Sequence, residues 1–164
     1  MIRIATILDI NEIMDIVKDT IIDMHSNNNY QWDDDYPLRE DFEKDIKSNE
    51  LYVIEEEGEV AGFVCINKEE PIEYKTINWS EDKKAYVIHR LAISTKYRGR
   101  GNAYKFMKLA EDLAIENGVN YLKTDTKFSN LKTQKLFEKC GYKYMGIFHF
   151  QKRDGEFFCY EKIV

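Results

Sequence analysis

His89-Arg90-Leu91-Ala92-Ile93-Ser94-Thr95-Lys96-Tyr97-Arg98-Gly99-Arg100-Gly101-Asn102-Ala103 is the stretch whose reading decides the fold. It closes a run, Ala85 to Ile93, rich in β-branched and aromatic residues, which reads as a strand. A turn with two glycines follows. Ala103, Phe106, Met107, Ala110, Leu113 and Ala114 then recur on one face of a helix. The first amides of a helix have no acceptor within it and sit at the positive end of its dipole, so such a junction is a ready anion site. Gly99 and Gly101 permit tight curvature and remove side chains that would hold a diphosphate away, while Arg98 and Arg100 add charge for its oxygens. A nucleotide-hydrolysing P-loop is excluded because no Gly-Lys-Ser/Thr ending is present, and Tyr104 stands where a dinucleotide fingerprint needs its third glycine.

Downstream, Asn117-Gly118 ends that helix, Val119 to Thr126 reads as a strand, and Leu131 to Cys140 reads as a second helix closed by Gly141. Strand, helix and strand in this order imply a crossover with parallel pairing. Two last strands, about Lys143 to Gln151 and Phe157 to Ile163, flank Arg153-Asp154-Gly155, a hairpin signal. Upstream, a short strand from Ile2 precedes an amphipathic helix with apolar residues at Ile10, Ile13, Met14, Val17, Ile21 and Met24, opened by a capping-box pattern at Asp9 and Glu12. A short helix around Arg39 to Lys47 leads to strands Leu51 to Glu56 and Val60 to Asn67, joined through Gly58. Lys68 to Asp82 is a polar connection. The expectation is a single mixed α/β domain over residues 1–164, with about seven strands in a mostly antiparallel sheet.

Composition narrows the function. The chain of 164 residues is 43% hydrophobic, long enough to bury a core, and its 24 basic against 30 acidic residues leave a net charge of −6. That balance excludes a general nucleic-acid binder, though not a local cationic pocket for a small anion. Cys65, Cys140 and Cys159 form no CxxC pair and no histidine grouping, so no metal is expected. No apolar run approaches the roughly 18 residues that span a bilayer, and the first residues read as strand rather than leader, so the expected location is the cytoplasm.

Arg98-x-x-Gly101-x-Ala103, after a strand and opening a helix, resembles the acyl-CoA signature Gln/Arg-x-x-Gly-x-Gly/Ala of the GNAT superfamily of N-acetyltransferases. Asn130, followed by Leu136-Phe137-Glu138-Lys139-Cys140-Gly141-Tyr142, is similar to that family's second conserved segment. The resemblance implies helices on both faces of the sheet and two central parallel strands that splay near Ile93 and Thr126. It implies acetyl-CoA as cosubstrate, its pantetheine arm against Leu91, Ala92 and Ile93. The pyrophosphate would lie on the amides of Arg98, Gly99, Arg100, Gly101, Asn102 and Ala103, with Asn130 and Phe137 also at the cofactor. Asn130 suits a helix N-cap equally well, and both roles can hold at once.

The implied reaction moves an acetyl group to a primary amine of a small molecule or peptide, in a protein that is a monomer or homodimer and binds neither nucleic acid nor membrane. An alkylammonium with a pKa of roughly 10.4 must lose a proton before it attacks. Val87 stands where some members carry a glutamate base, and Phe137 where the family commonly has a tyrosine acid. His89 is the base candidate, on a strand face shared with Val87 and Leu91; a histidine bonded within the sheet is the alternative. Tyr142 is a candidate acid. Trp32 and Tyr36 either line the acceptor pocket or pin their polar loop to the surface. The competing class is an acyl-CoA-binding sensor without turnover, made plausible by Phe137 and Val87.

Overall fold

Arg3, inside the first strand, organises the entry to the first helix. Its guanidinium donates to both oxygens of Asp9 at 2.8 Å and to Glu55 Oε1 at 2.6 Å. Asp9 also accepts the Thr6 N–H at 2.7 Å. The capping pattern expected at Asp9 and Glu12 is therefore displaced by one turn. Asp9 closes a cap begun by Thr6 on a short 3-10 turn (Ile7–Asp9), and Glu12 Oε2 instead accepts the Val60 N–H at 2.8 Å.

The computed structural model describes residues 1–164. Its strands are β1 (Ile2–Ile4), β2 (Leu51–Glu56), β3 (Glu59–Asn67), β4 (Tyr86–Ile93), β5 (Tyr121–Lys127), β6 (Lys143–Phe148) and β7 (Phe157–Ile163). Its helices are α1 (Ile10–Ser26), α2 (Arg39–Lys47), α3 (Asn102–Glu116) and α4 (Leu131–Lys139). The strands form one open sheet in the order β1-β2-β3-β4-β5-β7-β6. β1–β2, β2–β3, β5–β7 and β6–β7 pair antiparallel, and β4–β5 is parallel, with Tyr86 opposite Leu122 and Ile88 opposite Thr124. This is the mixed, mostly antiparallel α/β fold expected from the element order.

Two compact units can be described, Met1–Ile66 with His89–Phe106 and Asn67–Ile88 with Met107–Val164. In the first, the apolar stripe of α1 buries Ile10, Ile13 and Val17. Phe63 of β3 stacks on Trp32 at 6.3 Å between centroids and takes the edge of Phe42 at 5.0 Å. The β2–β3 turn runs through Glu57 at φ 55° and Gly58 at φ 80°, the left-handed pair that suits the twist of a tight hairpin.

In the second unit, β5 and β7 pair along their whole lengths, from Tyr121 opposite Ile163 to Lys127 opposite Phe157. The polar connection after β3 contains an unexpected 3-10 helix (Ile72–Thr76) that buries Tyr74. Tyr74, Val87, Phe148, Phe157 and Cys159 make a second core cluster. β6 and β7 are antiparallel neighbours, but the link between them spans residues 149–156 instead of forming a tight turn at Asp154-Gly155. β6 stops at Phe148, three residues short of the expected end, with His149 and Phe150 outside the ladder.

Candidate active site

The turn between β4 and α3 is built to leave amides uncovered. Gly99 and Gly101 both lie at φ 77°, a backbone conformation that side-chain-bearing residues adopt only at a cost. No atom stands within 4 Å of where a Cβ would go at either position, so conformation rather than crowding demands glycine. The first backbone bond of the helix is donated by Lys105 to the Gly101 carbonyl at 3.0 Å. The amides of Asn102, Ala103 and Tyr104 precede that ladder and point out of the first turn.

The side chains of the turn are engaged differently from the expectation. Arg98 Nη1 donates to Asp23 at 2.8 Å, and Arg100 Nη1 donates to Glu56 at 2.9 Å and Glu57 at 3.1 Å. Both guanidinium groups are thus paired with acids in the fold through Nη1. Asn102 is buried, and its side-chain amide donates to Glu56 Oε1 at 2.6 Å; its side chain braces the turn rather than facing a ligand. The Asn102 amide and the Arg100 guanidinium hold the Glu56 carboxyl below its ordinary range.

β4 is distorted just before the turn. Arg90 sits at φ 43°, rare for a side-chain-bearing residue and costly enough to need fixing by its surroundings. Those surroundings are a buried bidentate ion pair. Arg90 Nε and Nη2 donate to the two Asp45 oxygens at 2.8 and 2.7 Å, and Nη1 donates to the Tyr36 hydroxyl at 3.2 Å. Burial pushes the Asp45 carboxyl up against the pull of Arg90, while the arginine stays charged. Asp45, Glu50 and Cys65 bring possible metal donors within 4.8 Å of one another, yet the Arg90 guanidinium occupies Asp45 and lies 3.6 Å from Cys65 Sγ. A cation there would have to displace another cation.

This kink alters the reading of His89. A left-handed residue inside a strand breaks the two-residue alternation, so His89 does not share one simple face with both Val87 and Leu91. His89 is half-buried and has a partner within the fold. Beyond the kink, the backbone of Leu91, Ala92 and Ile93 runs beside β3, where a Cβ on Gly62 would stand 2.7 Å from the Ala92 carbonyl oxygen. Only glycine allows that approach.

Trp32 and Tyr36 behave differently from each other. Trp32 is 3% exposed and belongs to the core against Phe63, which corrects its expected place in the wall of an acceptor pocket. An aromatic in a polar loop had two readings, and burial selects the anchor. Tyr36 is half-buried, with its hydroxyl at Arg90, so the loop after α1 is tied to the kinked part of β4.

In the second unit, Asn130 caps α4 by accepting the Thr133 N–H at 3.3 Å. Phe137 is buried with its ring 6.0 Å from that of Tyr142 and 5.2 Å from that of Tyr160. Tyr142 is buried as well, and its hydroxyl finds no hydrogen-bond partner. Burial raises that phenol far above its ordinary value, so it keeps its proton. A residue not singled out in the sequence stands out here: Asp125 on β5 accepts the Tyr74 hydroxyl at 2.6 Å, and desolvation pushes its carboxyl up to about 6. An aspartate in the middle of a central strand, where that residue type is depleted, was the available signal.

A mostly antiparallel sheet with one parallel pair, feeding a glycine turn whose helix offers unbonded amides, defines an acyl-transfer architecture. The family model described as the Acetyltransferase (GNAT) family matches residues 15–142, and the chain belongs to that family. A GNAT-family acetyltransferase from Streptococcus agalactiae superposes with a TM-score of 0.85 at 28% identity, covering 100% of this chain and 95% of that one. A GNAT-family acetyltransferase from Listeria monocytogenes gives 0.77 at 26% identity, covering 100% and 94%. A ribosomal-protein-alanine N-acetyltransferase from Brucella melitensis shares the fold at 0.73 and 18% identity, covering 100% and 99%. No curated protein matches the chain significantly. No helix is long and apolar enough to cross a membrane.

Proposed function

We propose that this chain transfers an acetyl group from acetyl-CoA to a primary amine by direct attack within a ternary complex. The observation that carries this reading is the β4–α3 turn, with Gly99 and Gly101 both at φ 77° and the helix ladder beginning only at Lys105. Its amides from Arg98 to Ala103 take the cosubstrate pyrophosphate, and Arg98 and Arg100 exchange their carboxylate partners for phosphate oxygens. The strand backbone at Leu91, Ala92 and Ile93 binds the pantetheine arm, and an amide there polarises the thioester carbonyl. Tyr142 supplies the proton to the departing sulfur. Its neighbour Phe137 stands where the family's usual acid would be, and the Tyr142 hydroxyl is a protonated donor with no bond to break first. The protein works in the cytoplasm as a monomer or homodimer on a small-molecule or peptide amine.

Calorimetry with coenzyme A, followed by thiol release from acetyl-CoA with a panel of primary amines, tests the reading. Binding with amine-dependent thiol release is expected. Binding without release for any amine would favour an acyl-CoA sensor, the reading that Phe137 supports, and no binding heat would end both.

A further inference from the structure

The acetyl-transfer reading leaves one chemical role unfilled. An alkylammonium must give up a proton, and Val87 offers no group to receive it. Val87 is opposite Lys123 in the parallel register, so both side chains leave the same face of the sheet. Asp125, two residues along β5, leaves that face too. Its Cα partner on β7 is Cys159, which shares the buried cluster of Val87, Tyr74, Phe148 and Phe157. The carboxylate missing from β4 is therefore present on the neighbouring strand, among the same residues.

From this placement we infer that Asp125 is the acceptor-site carboxylate, binding the incoming ammonium and taking its proton, with Tyr74 as its positioning residue. Oδ2 of Asp125 accepts the Tyr74 hydroxyl at 2.6 Å. Tyr74 is fixed in turn: its carbonyl accepts the Trp79 indole N–H at 2.8 Å, and its ring meets Trp79 at 5.1 Å and Phe148 at 5.7 Å. Tyr74 engages Oδ2 alone, and Asp125 as a residue is half-buried. Ile77, Trp79, Met145 and Phe150 pack partly buried around the cluster, so the carboxylate stands beside an apolar, aromatic border. A primary amine on an apolar body fits such a border better than a highly polar one.

The charged and titratable surroundings are compatible with a base. Glu73, from the 3-10 helix, raises the carboxyl; Tyr74 from the same segment and Arg153 from the β6–β7 link lower it; burial is the largest influence and lifts it to about 6. Lys123 is committed to Glu70 and lies 4.5 Å over the Trp79 ring, so it does not cover Asp125. Cys159 is a protonated thiol held up by burial and by Asp125 itself. A carboxylate with such a value is ionised at neutral pH while more basic than an exposed aspartate.

The step balances as follows. One ammonium proton passes to Asp125, and the neutral nitrogen attacks the thioester carbonyl carbon. The C–N bond forms, the C–S bond breaks, Tyr142 gives its phenolic proton to the sulfur and is restored by the second nitrogen proton, and Asp125 returns its proton to solvent.

The test compares wild type, Asp125→Asn and Tyr74→Phe, using acetyl-CoA with phenethylamine, 1,4-diaminobutane and glycinamide, read as thiol release across pH 5–9. Wild type should show an acid limb near pH 6 in kcat/KM. Asp125→Asn should lose about 10²–10⁴-fold in kcat/KM, together with that limb, while coenzyme A affinity by calorimetry stays within about twofold. Tyr74→Phe removes a bond that favours the ionised form, so its limb should move to higher pH with activity recovered at pH 9, a shift that mere packing would not produce. An active wild type matched by Asp125→Asn within about twofold, with the same limb, overturns the inference alone. A wild type that releases no thiol with any of the three amines overturns the transferase reading, and the inference falls with it.

Discussion

The Tyr142 hydroxyl sets two costs against each other. A buried polar group without a partner destabilises a fold by about 1–3 kcal/mol, while replacing it with an apolar group of the same shape can relieve that cost. The ring itself is well placed, 6.0 Å from Phe137 and beneath the Lys162 ammonium at 5.7 Å. Tyr142→Phe should therefore stabilise the protein by about 1 kcal/mol in urea denaturation. If the hydroxyl protonates the leaving sulfur, the same change lowers kcat by about tenfold or more and leaves coenzyme A binding untouched. A variant that gains stability and keeps its full kcat would reduce Tyr142 to a packing residue and leave sulfur protonation to water. Arg90 is the contrasting case at this scale. Its ion pair with Asp45 is complete and its backbone is strained, so its identity is fixed by structure from two sides.

At the level of elements, the glycine turn before α3 is where geometry and sequence meet most directly. Gly101→Ala places a side chain at φ 77°, which costs about 1–2 kcal/mol for an L-residue. It also puts a methyl group into the open space beside the amides proposed to meet phosphate. Coenzyme A affinity by calorimetry should fall at least tenfold, with kcat at saturating acetyl-CoA within about threefold of wild type, since the thioester end is not altered. Equal losses in both would mean that the turn orders the whole site. This turn was legible beforehand because glycine, arginine and the start of an amphipathic stripe each speak locally. The α2 and β7 boundaries fall where expected, at Arg39–Lys47 and Phe157–Ile163. Three features were not legible. Asp9 and Glu12 satisfied a capping pattern in sequence, but Arg3, on the preceding strand, and the Val60 amide, 48 residues along the chain, claimed their carboxylates. The kink at Arg90 depends on Asp45, 45 residues away. The 3-10 helix at Ile72–Thr76 lay hidden in a polar segment because only Tyr74 is buried from it.

Over the whole molecule, function and stability pull on the same carboxylate. Burial raises Asp125 from an ordinary aspartate to about 6, so the folded protein holds this proton more tightly than the unfolded chain does. The favourable contribution is complete below about pH 4 and is lost as pH rises through 6. Asp9 has the opposite sign. Its pairing with Arg3 depresses its carboxyl, so its contribution is present above the unfolded value and fades as pH falls through the lower folded one. The wild-type profile mixes the two, and the difference between wild type and Asp125→Asn isolates one. Asparagine can still accept the Tyr74 hydroxyl, and it has no charge to desolvate. The variant should match wild type near pH 4 and exceed it by about 1–3 kcal/mol at pH 7 and above, measured by urea denaturation at one-unit steps. A gap of constant size across that range would show that the carboxylate is not destabilised by its setting. A gap that opens between pH 4 and 6, in a variant that has also lost its acid limb of activity, would mean that the fold tolerates a poorly solvated charge on β5 where the reaction requires a base.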